Sequence, residues 1–535
     1  MFKLFDLKVK TRGFIKSLSL GLVWLMALLW LSACMVGPDF VKPPAETNAQ
    51  WQDAADPQLN TAAVDQAWWQ TFNDPLLNRL IETAYQENLN LRVAGVRVLE
   101  SRAQLATAVG NFYPQSQQFT GALTNVQLSQ RSYQAALLKI FEYNQSQLGL
   151  TASWEIDFWG KFRRAIEAAD ATVQAAWADY DTALVSLTAD VARAYITIRT
   201  VEKRLGIARQ NVEIQTASLQ IANARFQGGT TSERDVEQAK TVLADTQASI
   251  PLLEISLRQQ QNALSVLLGR PPQPLSDFLT GSERFPAPPA QVAVGIPAEL
   301  LRRRPDVRHA ERQAAAQSAQ IGVTNAQLYP AFSLTGSFGL LSTDAGTFAL
   351  SDMFRWNSRS VNVGPTLQWN IFNYGQITNQ VRLQDARLQE LLIAYQNTVL
   401  IAQREVEDNL VAFLRSQDRA RWLGESTAAA QRSLNLATIQ YREGITDFTT
   451  VLTAQQALLS EQDSLAATLG DISTNLVGVY RALGGGWQIR DGQPLLPEAV
   501  TVQMTQRTDW GGLLTPAALP SPDAAPTSVP AWPKW

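Results

Sequence analysis

The chain has 535 residues, of which 46% are hydrophobic and 17% charged, and its formal net charge at pH 7 is −3. This composition excludes a disordered polymer and a helical membrane protein, and the slight negative charge excludes a typical nucleic-acid-binding protein. One histidine and one cysteine occur in the whole sequence. We therefore expect no histidine-based catalytic triad, no multi-histidine metal site, no disulfide and no bound cofactor.

The N-terminus predicts a secretory signal peptide at 1–33, followed by a lipidated cysteine. Five basic residues and one acidic residue give this stretch a net charge of +4, which leaves −7 for the rest of the chain. Its apolar segment is too short to span a membrane and ends in small residues, as signal peptides do. The Leu-Ser-Ala-Cys sequence at 31–34 resembles the bacterial lipobox, which implies diacylglycerol and N-acyl lipid on Cys34. The alternative is an ordinary cleaved signal with an incidental cysteine.

The rest of the chain is organised as two repeats displaced by 215 residues. Matching residues at this displacement are Trp154, Ile156 and Gly160 in the first repeat and Trp369, Ile371 and Gly375 in the second. Such self-similarity predicts two copies of one structural unit. We expect an N-terminal segment at 34–82, repeat 1 at 83–268, a linker at 269–303, repeat 2 at 304–487, and a Pro/Ala-rich, partly disordered tail at 488–535.

Each repeat is expected to begin with a helix and two strands. The helices are predicted at 83–112 and 304–328, and each ends at a Tyr-Pro pair, because proline disfavours a helical conformation in the preceding residue. Alternation of apolar and polar residues then predicts strands with one apolar face. The expected strands lie at 115–128 and 146–158 in repeat 1 and at 331–341 and 360–372 in repeat 2.

Each repeat continues into a very long helical hairpin. Apolar residues spaced alternately four and three apart predict coiled-coil helices at 160–226 and 375–441, with one polar break at Asn409. A helix of that length spans about 100 Å. Turns with tips near 227–232 and 442–447 lead into the predicted return helices at 233–268 and 448–483.

Neither the strands nor the helices are complete within one chain. No segment after the signal has an apolar run of about 18 residues, so any membrane crossing must be made of strands. A four-stranded sheet with open edges would leave backbone groups unsatisfied in lipid, and coiled-coil seams need neighbouring helices. We therefore expect a ring-shaped oligomer that is half strand barrel and half helix barrel.

Four passages resemble the outer-membrane factor family, the TolC/OprM-like channels, in its NodT-type efflux lipoprotein branch. They are CMVGPDFVKPP at 34–44, IPAELLRRRPDVRHAE at 296–311, YREGITDFTTVLTAQQALL at 441–459 and VYRALGGGW at 479–487. The resemblance implies an α+β membrane protein: a homotrimer whose 12-stranded transmembrane β-barrel, four strands per chain, continues into a periplasmic α-helical coiled-coil barrel. It also places 34–82 in a lipidated segment and a periplasmic equatorial region.

The resemblance further implies a function and partners. The chain would be the lipid-anchored outer-membrane component of a tripartite system, a passive exit duct for drugs or other small molecules. It would dock with a periplasmic adaptor (membrane fusion) protein and an inner-membrane transporter of the RND type. Alternatives are the exit duct of a type I protein secretion system and a non-transport, structural coiled-coil lipoprotein. An enzyme is disfavoured because no nucleophile motif or phosphate-binding loop is present.

The two turns are the candidate functional site, because the resemblance identifies them with periplasmic tips that are closed at rest and contact the adaptor. The residues concerned are Gly228, Gly229, Thr231, Gly444, Thr446 and Asp447. Family members commonly have an acidic residue where this chain has Thr453 and an arginine where it has Gln456, so a carboxylate ring at this possible gate level is an open question. Asp235 and Glu237 are nearby substitutes, and a solvated surface role is the alternative for each.

Overall fold

The computed structural model describes residues 35–514 except 61, 63–64, 132, 134–140, 280–284, 287, 290, 296, 298–302 and 346–347. The predicted signal peptide, Cys34 and the residues from 515 onward lie outside the described part. None of the described helices has both the length and the apolar character that a membrane span requires.

The helices and strands follow the repeat. The helices are α1 (Pro75–Glu87), α2 (Leu89–Gly110), α3 (Lys161–Gln227), α4 (Glu233–Leu267), α5 (Ser276–Leu279), α6 (Pro305–Asn325), α7 (Gln376–Arg442), α8 (Phe448–Ala482) and α9 (Glu498–Arg507). The strands are β1 (Leu59–Asn60), β2 (Ser116–Gln127), β3 (Glu142–Ile156), β4 (Val292–Ala293), β5 (Ala331–Thr343) and β6 (Arg359–Gln368). Short 3₁₀ helices occur at Trp68–Phe72, Ala326–Leu328, Leu350–Phe354, Trp356–Ser358, Trp487–Arg490 and Gly511–Leu514.

The single helix expected at 83–112 is wrong, because two helices, α1 and α2, meet at Asn88. Its backbone is extended (ψ 125°), its side chain accepts a hydrogen bond from the Leu91 backbone N–H at 2.9 Å, and its amide donates to the Leu267 carbonyl at 2.9 Å. An asparagine whose side chain accepts a hydrogen bond from a free N–H at a helix N-terminus favours the start of a new helix there over continuation of the preceding one. Asp74 caps the start of α1 in the same way, ahead of Pro75 at the first helical position.

Four strands form one antiparallel sheet in the order β2-β3-β5-β6. One row across this sheet is apolar and consists of Phe119, Leu150, Phe338 and Val361. The neighbouring row, on the opposite face, is polar and consists of Gln118, Thr151, Ser337 and Asn362. The register therefore collects most of the large apolar residues of the four strands on one face, with Val126, Tyr143 and Leu341 on the other.

The ends of two strands differ from the prediction. β3 begins at Glu142, earlier than expected, because Glu142 pairs with Gln127 at the end of β2. β6 ends at Gln368, not at 372, and the next residue, Trp369, instead donates its indole N–H to the Leu328 carbonyl at 3.0 Å. Trp154, its counterpart in repeat 1, donates in the same way to the Phe112 carbonyl at 3.2 Å. In both repeats a tryptophan at the end of a strand thus hydrogen-bonds to the backbone just after the preceding helix.

The long hairpins consist of α3 with α4 (hairpin 1) and α7 with α8 (hairpin 2). The predicted seam is buried in both: Leu184, Val191 and Ile198 are buried in α3, as are Val399 and Val406 in α7. The polar break at Asn409 has a structural explanation. Its amide donates to the Glu405 carbonyl at 2.6 Å, and a Cβ on Gly478 of α8 would overlap it. The glycine therefore provides the space that the polar side chain occupies.

The middle of the molecule contains structure that the sequence did not predict. Within the expected linker, β4 pairs in parallel with β1 of the N-terminal segment. In the N-terminal segment, Trp68 of the first 3₁₀ helix is fully buried and stacks on Tyr480 of α8, with ring centroids 5.2 Å apart. The first part of the expected tail, residues 488–514, contains a helix, α9, whose buried Met504 packs with Leu99 of α2 and Leu496.

Candidate functional site at the hairpin ends

Both hairpins turn through the same backbone motif. In hairpin 1 the Thr230 N–H donates to the Arg225 carbonyl and the Gly229 N–H to the Phe226 carbonyl, each at 2.9 Å. In hairpin 2 the Ile445 and Gly444 N–H groups donate to the Gln440 and Tyr441 carbonyls at 2.9 and 3.1 Å. This is the Schellman pattern, which requires a left-handed residue after the helix.

The glycines of the turns are not equivalent. Gly229 and Gly444 have φ of 70° and 75°, in the left-handed region that favours glycine. Gly228 also lies in the turn, but its φ of −77° is an ordinary helical value that any residue can adopt. All three are exposed at the ends of the hairpins.

The first residues of the return helices differ between the two hairpins. Asp447 caps α8 by accepting hydrogen bonds from the Thr450 backbone N–H at 3.1 Å and hydroxyl at 2.8 Å, and these bonds lower the pKa of its carboxyl. The Thr446 hydroxyl is 3.0 Å from the same Thr450 hydroxyl. In hairpin 1 the Thr231 hydroxyl instead donates to Asp235, in the first turn of α4. Each turn is therefore held by hydrogen bonds to a carboxylate, which is the N-cap residue Asp447 in hairpin 2 and Asp235 inside the helix in hairpin 1.

An apolar cluster joins the two hairpins just behind the turns. It contains Ala222, Val236, Ala239, Val242, Leu434, Ala437, Tyr441, Phe448, Val451, Leu452, Ala454 and Leu458. Members come from α3, α4, α7 and α8, so the cluster belongs to neither hairpin alone. Tyr441 and Phe448 lie at its outer edge, with ring centroids 5.0 Å apart, and burial raises the pKa of the Tyr441 hydroxyl.

Arg225 of hairpin 1 spans the gap to hairpin 2 at this edge. Its guanidinium donates to the Tyr441 backbone carbonyl and lies over the Tyr441 ring, 4.6 Å from the centroid. Its Nη2 atom is also 3.7 Å from where a Cβ on Gly444 would be. A charged donor thus links the last turn of α3 to the last turn of α7.

Further polar contacts continue this link along α3. At steps of seven residues, Arg204, Asn211, Ser218 and Arg225 bond to Asp463, Gln462, Gln455 and Tyr441 of hairpin 2, and we name these four pairs the inter-hairpin ladder. The Arg204–Asp463 pair is bidentate, at 2.7 and 2.9 Å. Sequence reasoning missed the ladder because it followed only the apolar heptad positions, although the seven-residue spacing is visible in the sequence.

The four residues at the possible gate level have different environments. Thr453 and Gln456 are exposed on α8, and the Thr453 hydroxyl donates to the Thr449 carbonyl at 2.9 Å. Glu237 is exposed on α4 and pairs with Lys240 at 2.6 Å. Asp235 is buried and bonded within the turn. Of the two carboxylates, Glu237 is thus the one open to solvent, and a gating role stays a prediction for all four.

The described residues include no group of three or more His, Cys, Asp or Glu side chains able to hold a metal ion.

The family model described as outer membrane efflux protein matches residues 80–270 and 296–485, which correspond to the two halves of the fold. The chain belongs to the outer membrane efflux protein family. Members of this family are outer-membrane channels that extend into the periplasm, and they are transport ducts without enzymatic activity.

Individual relatives match about 85% of the chain. Nodulation protein T of Rhizobium leguminosarum bv. viciae is 31% identical over 86% of this chain and 92% of its own length. The pyoverdine export outer membrane protein OpmQ of Pseudomonas putida is 32% identical over 86% of this chain and 97% of its own length. The solved outer-membrane channel OprN is 33% identical, with a TM-score of 0.78 over 85% of this chain and all of OprN.

Proposed function

We propose that the chain forms the exit duct of a tripartite efflux system, through which drugs or other small molecules cross the periplasm and the outer membrane unchanged. The observation that carries this proposal is the four-stranded sheet. It presents an apolar row and a polar row on opposite faces, as a barrel wall between lipid and a water-filled lumen requires. Its strands have 10 to 15 residues, which is long enough to cross a bilayer.

The open edges of the sheet support an oligomer. β2 and β6 are edge strands, and in lipid their unpaired backbone groups would each cost several kcal/mol. The four strands alternate in direction, so β6 of one chain and β2 of the next would continue the antiparallel order. Three chains would close a barrel of twelve strands, the homotrimer that the resemblance implies, with lipid around its apolar face.

The long helices support a second, periplasmic part of the duct. With 67 residues each, α3 and α7 are about 100 Å long, far more than a bilayer requires. In the single chain α7 exposes apolar side chains along its length, among them Leu383, Leu400 and Trp422. Several large apolar side chains exposed on one helix favour an interface. Neighbouring copies of α3 and α7 would cover it by closing the helices into a barrel.

The hairpin ends would face the other components. The turns at Gly229 and Gly444 would contact a periplasmic adaptor, with an inner-membrane RND-type transporter supplying the cargo. The pyoverdine export named for OpmQ supports a small-molecule cargo. Lipid on Cys34 would hold the chain at the outer membrane. The inter-hairpin ladder would keep the entrance closed until hairpin 1 separates from hairpin 2.

Complementation tests the proposal. A strain that lacks this protein and has no redundant channel should become sensitive to a panel of detergents, dyes and antibiotics, and the wild-type gene should restore resistance. The Cys34→Ala variant should restore less resistance than the wild-type gene if efflux requires the lipid anchor. Unchanged sensitivity in the deletion strain would overturn the efflux proposal, and loss of a secreted protein in that strain would favour a type I secretion duct. Native mass spectrometry in detergent should show three copies.

A further inference from the structure

A cavity of about 420 Å³ lies far from the hairpin ends, between α1, α2, α3 and the C-terminal segment. Its apolar walls include Leu99 of α2, Trp177 of α3 and Leu496. α9 and Leu514 close one side. The volume is in the range of small-molecule sites, which combine apolar walls with a few oriented polar groups.

Arg490 supplies such a polar group. Its side chain is 8% exposed and borders the cavity. Its Nε and Nη2 atoms donate to the two carboxylate oxygens of Asp181, the latter at 3.1 Å. Its Nη1 atom, on the other edge of the guanidinium, is buried and has no partner in the described part of the protein. A buried donor without an acceptor is costly, so a ligand in the cavity whose acceptor came within reach of this atom, after a small shift of the Arg490 side chain, would be stabilised by the hydrogen bond.

The side chains around the cavity carry more positive than negative charge. Asp181 is shared by two guanidiniums, because Arg308 also donates to it at 2.7 Å. Arg102 borders the cavity as well. Its guanidinium lies 5.3 Å from the Trp177 ring centroid and donates a long hydrogen bond to the Leu513 carbonyl at 3.4 Å, and burial lowers its pKa. Among the described lining residues the one carboxylate is the exposed Glu498.

We propose that this cavity binds a small amphipathic carboxylate. The carboxylate would accept hydrogen bonds from the free edge of Arg490 and from Arg102, and the apolar part of the molecule would lie against Leu99 and Leu496. A planar guanidinium edge matches a carboxylate in shape and charge, and the tryptophan between the two arginines provides a flat apolar wall. This site is distinct from the duct and does not depend on its cargo.

Binding of 2-naphthoate tests the proposal. The full chain would be placed in lipid nanodiscs and titrated calorimetrically with 2-naphthoate, and with 2-naphthamide as the neutral molecule of the same shape, against empty nanodiscs as the blank. The carboxylate should bind about tenfold more tightly than the amide or better, because charge-assisted hydrogen bonds change affinity by that order. Equal binding of the two, or no binding of either, would overturn the proposal.

Variants assign the binding to this cavity. Arg102→Gln, which breaks no ion pair, should weaken 2-naphthoate binding about tenfold and leave 2-naphthamide unchanged. Arg97→Gln, at an exposed arginine on the same helix that does not border the cavity, is the matched control and should bind like the wild type. Arg490→Lys keeps a positive charge beside Asp181 but removes the guanidinium edge, so it should also weaken binding. Wild-type affinity in both Arg102→Gln and Arg490→Lys would contradict the proposed site.

Discussion

Replacing Arg225 with leucine should loosen the contact between the two hairpins at their ends. The substitution keeps an aliphatic side chain beside the apolar cluster but removes the donor to the Tyr441 carbonyl and the cation over the Tyr441 ring. A charged hydrogen bond contributes about 1.5–3 kcal/mol and a cation–π contact at an accessible site about 0.5–1 kcal/mol.

Arg225 is partly buried, so the lower part of these ranges applies, and the loss is about 2 kcal/mol per chain. That amount shifts the equilibrium between joined and separated hairpin ends by roughly 30-fold toward separation. The apolar cluster remains in the variant, so the chain should fold and reach the membrane as before.

Single-channel recording in planar lipid bilayers measures this effect. The Arg225→Leu protein should open more often and for longer than the wild type at the same voltage. Arg209→Leu is the matched control, because Arg209 is an exposed arginine on the same helix whose partner, Glu254 at 3.1 Å, belongs to its own hairpin. Tyr441→Phe should also behave like the wild type, since the ring and the backbone carbonyl both remain.

Identical open probabilities for Arg225→Leu, Arg209→Leu and the wild type would refute this reasoning. The ladder would then hold the hairpins in register without controlling the entrance. An increase in both arginine variants would instead point to a general effect of surface charge near the entrance, since only one of them removes a link between hairpins.

Three further predictions concern stability. Asp181→Asn should lower the free energy of unfolding by about 3–5 kcal/mol, measured by denaturant titration, because it leaves the buried Arg490 and the partly buried Arg308 without a carboxylate; a loss below about 1 kcal/mol would contradict this. The hydrogen bond to Asp179 raises the pKa of His309 above its ordinary value near 6.5. The stability that protonated His309 adds to the folded state is therefore fully present below that pH and is lost as pH rises through the folded-state pKa. The melting temperature of His309→Gln should therefore fall below that of the wild type at about pH 5.5 and approach it at about pH 8.5, and a constant difference would contradict the linkage. Gly229→Ala should cost about 1 kcal/mol because its φ is positive, whereas Gly228→Ala, with helical φ, should be neutral or slightly stabilising; equal melting temperatures would contradict this difference.

Much of the fold was predictable because its signals are periodic and repeated. The apolar series through Leu184 and Val191 specifies a helix whichever partner it meets, and the strict alternation around Trp154 specifies a strand with two different faces. The single helix predicted across Asn88 failed because a helical pattern extends on both sides of the cap. The capping bond from the Leu91 N–H is local, but the second bond of the Asn88 side chain, to the Leu267 carbonyl, joins residues far apart in sequence.

The candidate site was predictable only in part. The sequence and the family resemblance placed Gly228, Gly229 and Gly444 in the two turns, but only the structure distinguished the left-handed Gly229 and Gly444 from Gly228, which has an ordinary helical conformation. Arg225 escaped notice because its partner, the Tyr441 carbonyl, is a backbone group that any residue has. No side-chain pattern in a sequence can indicate such an acceptor.

The sequence by itself determined the two repeats, the four strands with one apolar face, the paired long hairpins and the membership of a family of outer-membrane ducts. The repeats, strands and hairpins follow from local periodicity and from residues at fixed spacing, and the family follows from the resemblance of four passages, so none of them needs knowledge of distant contacts. Only the tertiary structure decided that Arg204 meets Asp463, that Arg490 shares Asp181 with Arg308, and that the segment after residue 487 closes a cavity. The physical reason is that these contacts join residues more than a hundred positions apart, and their pairing depends on how the helices pack.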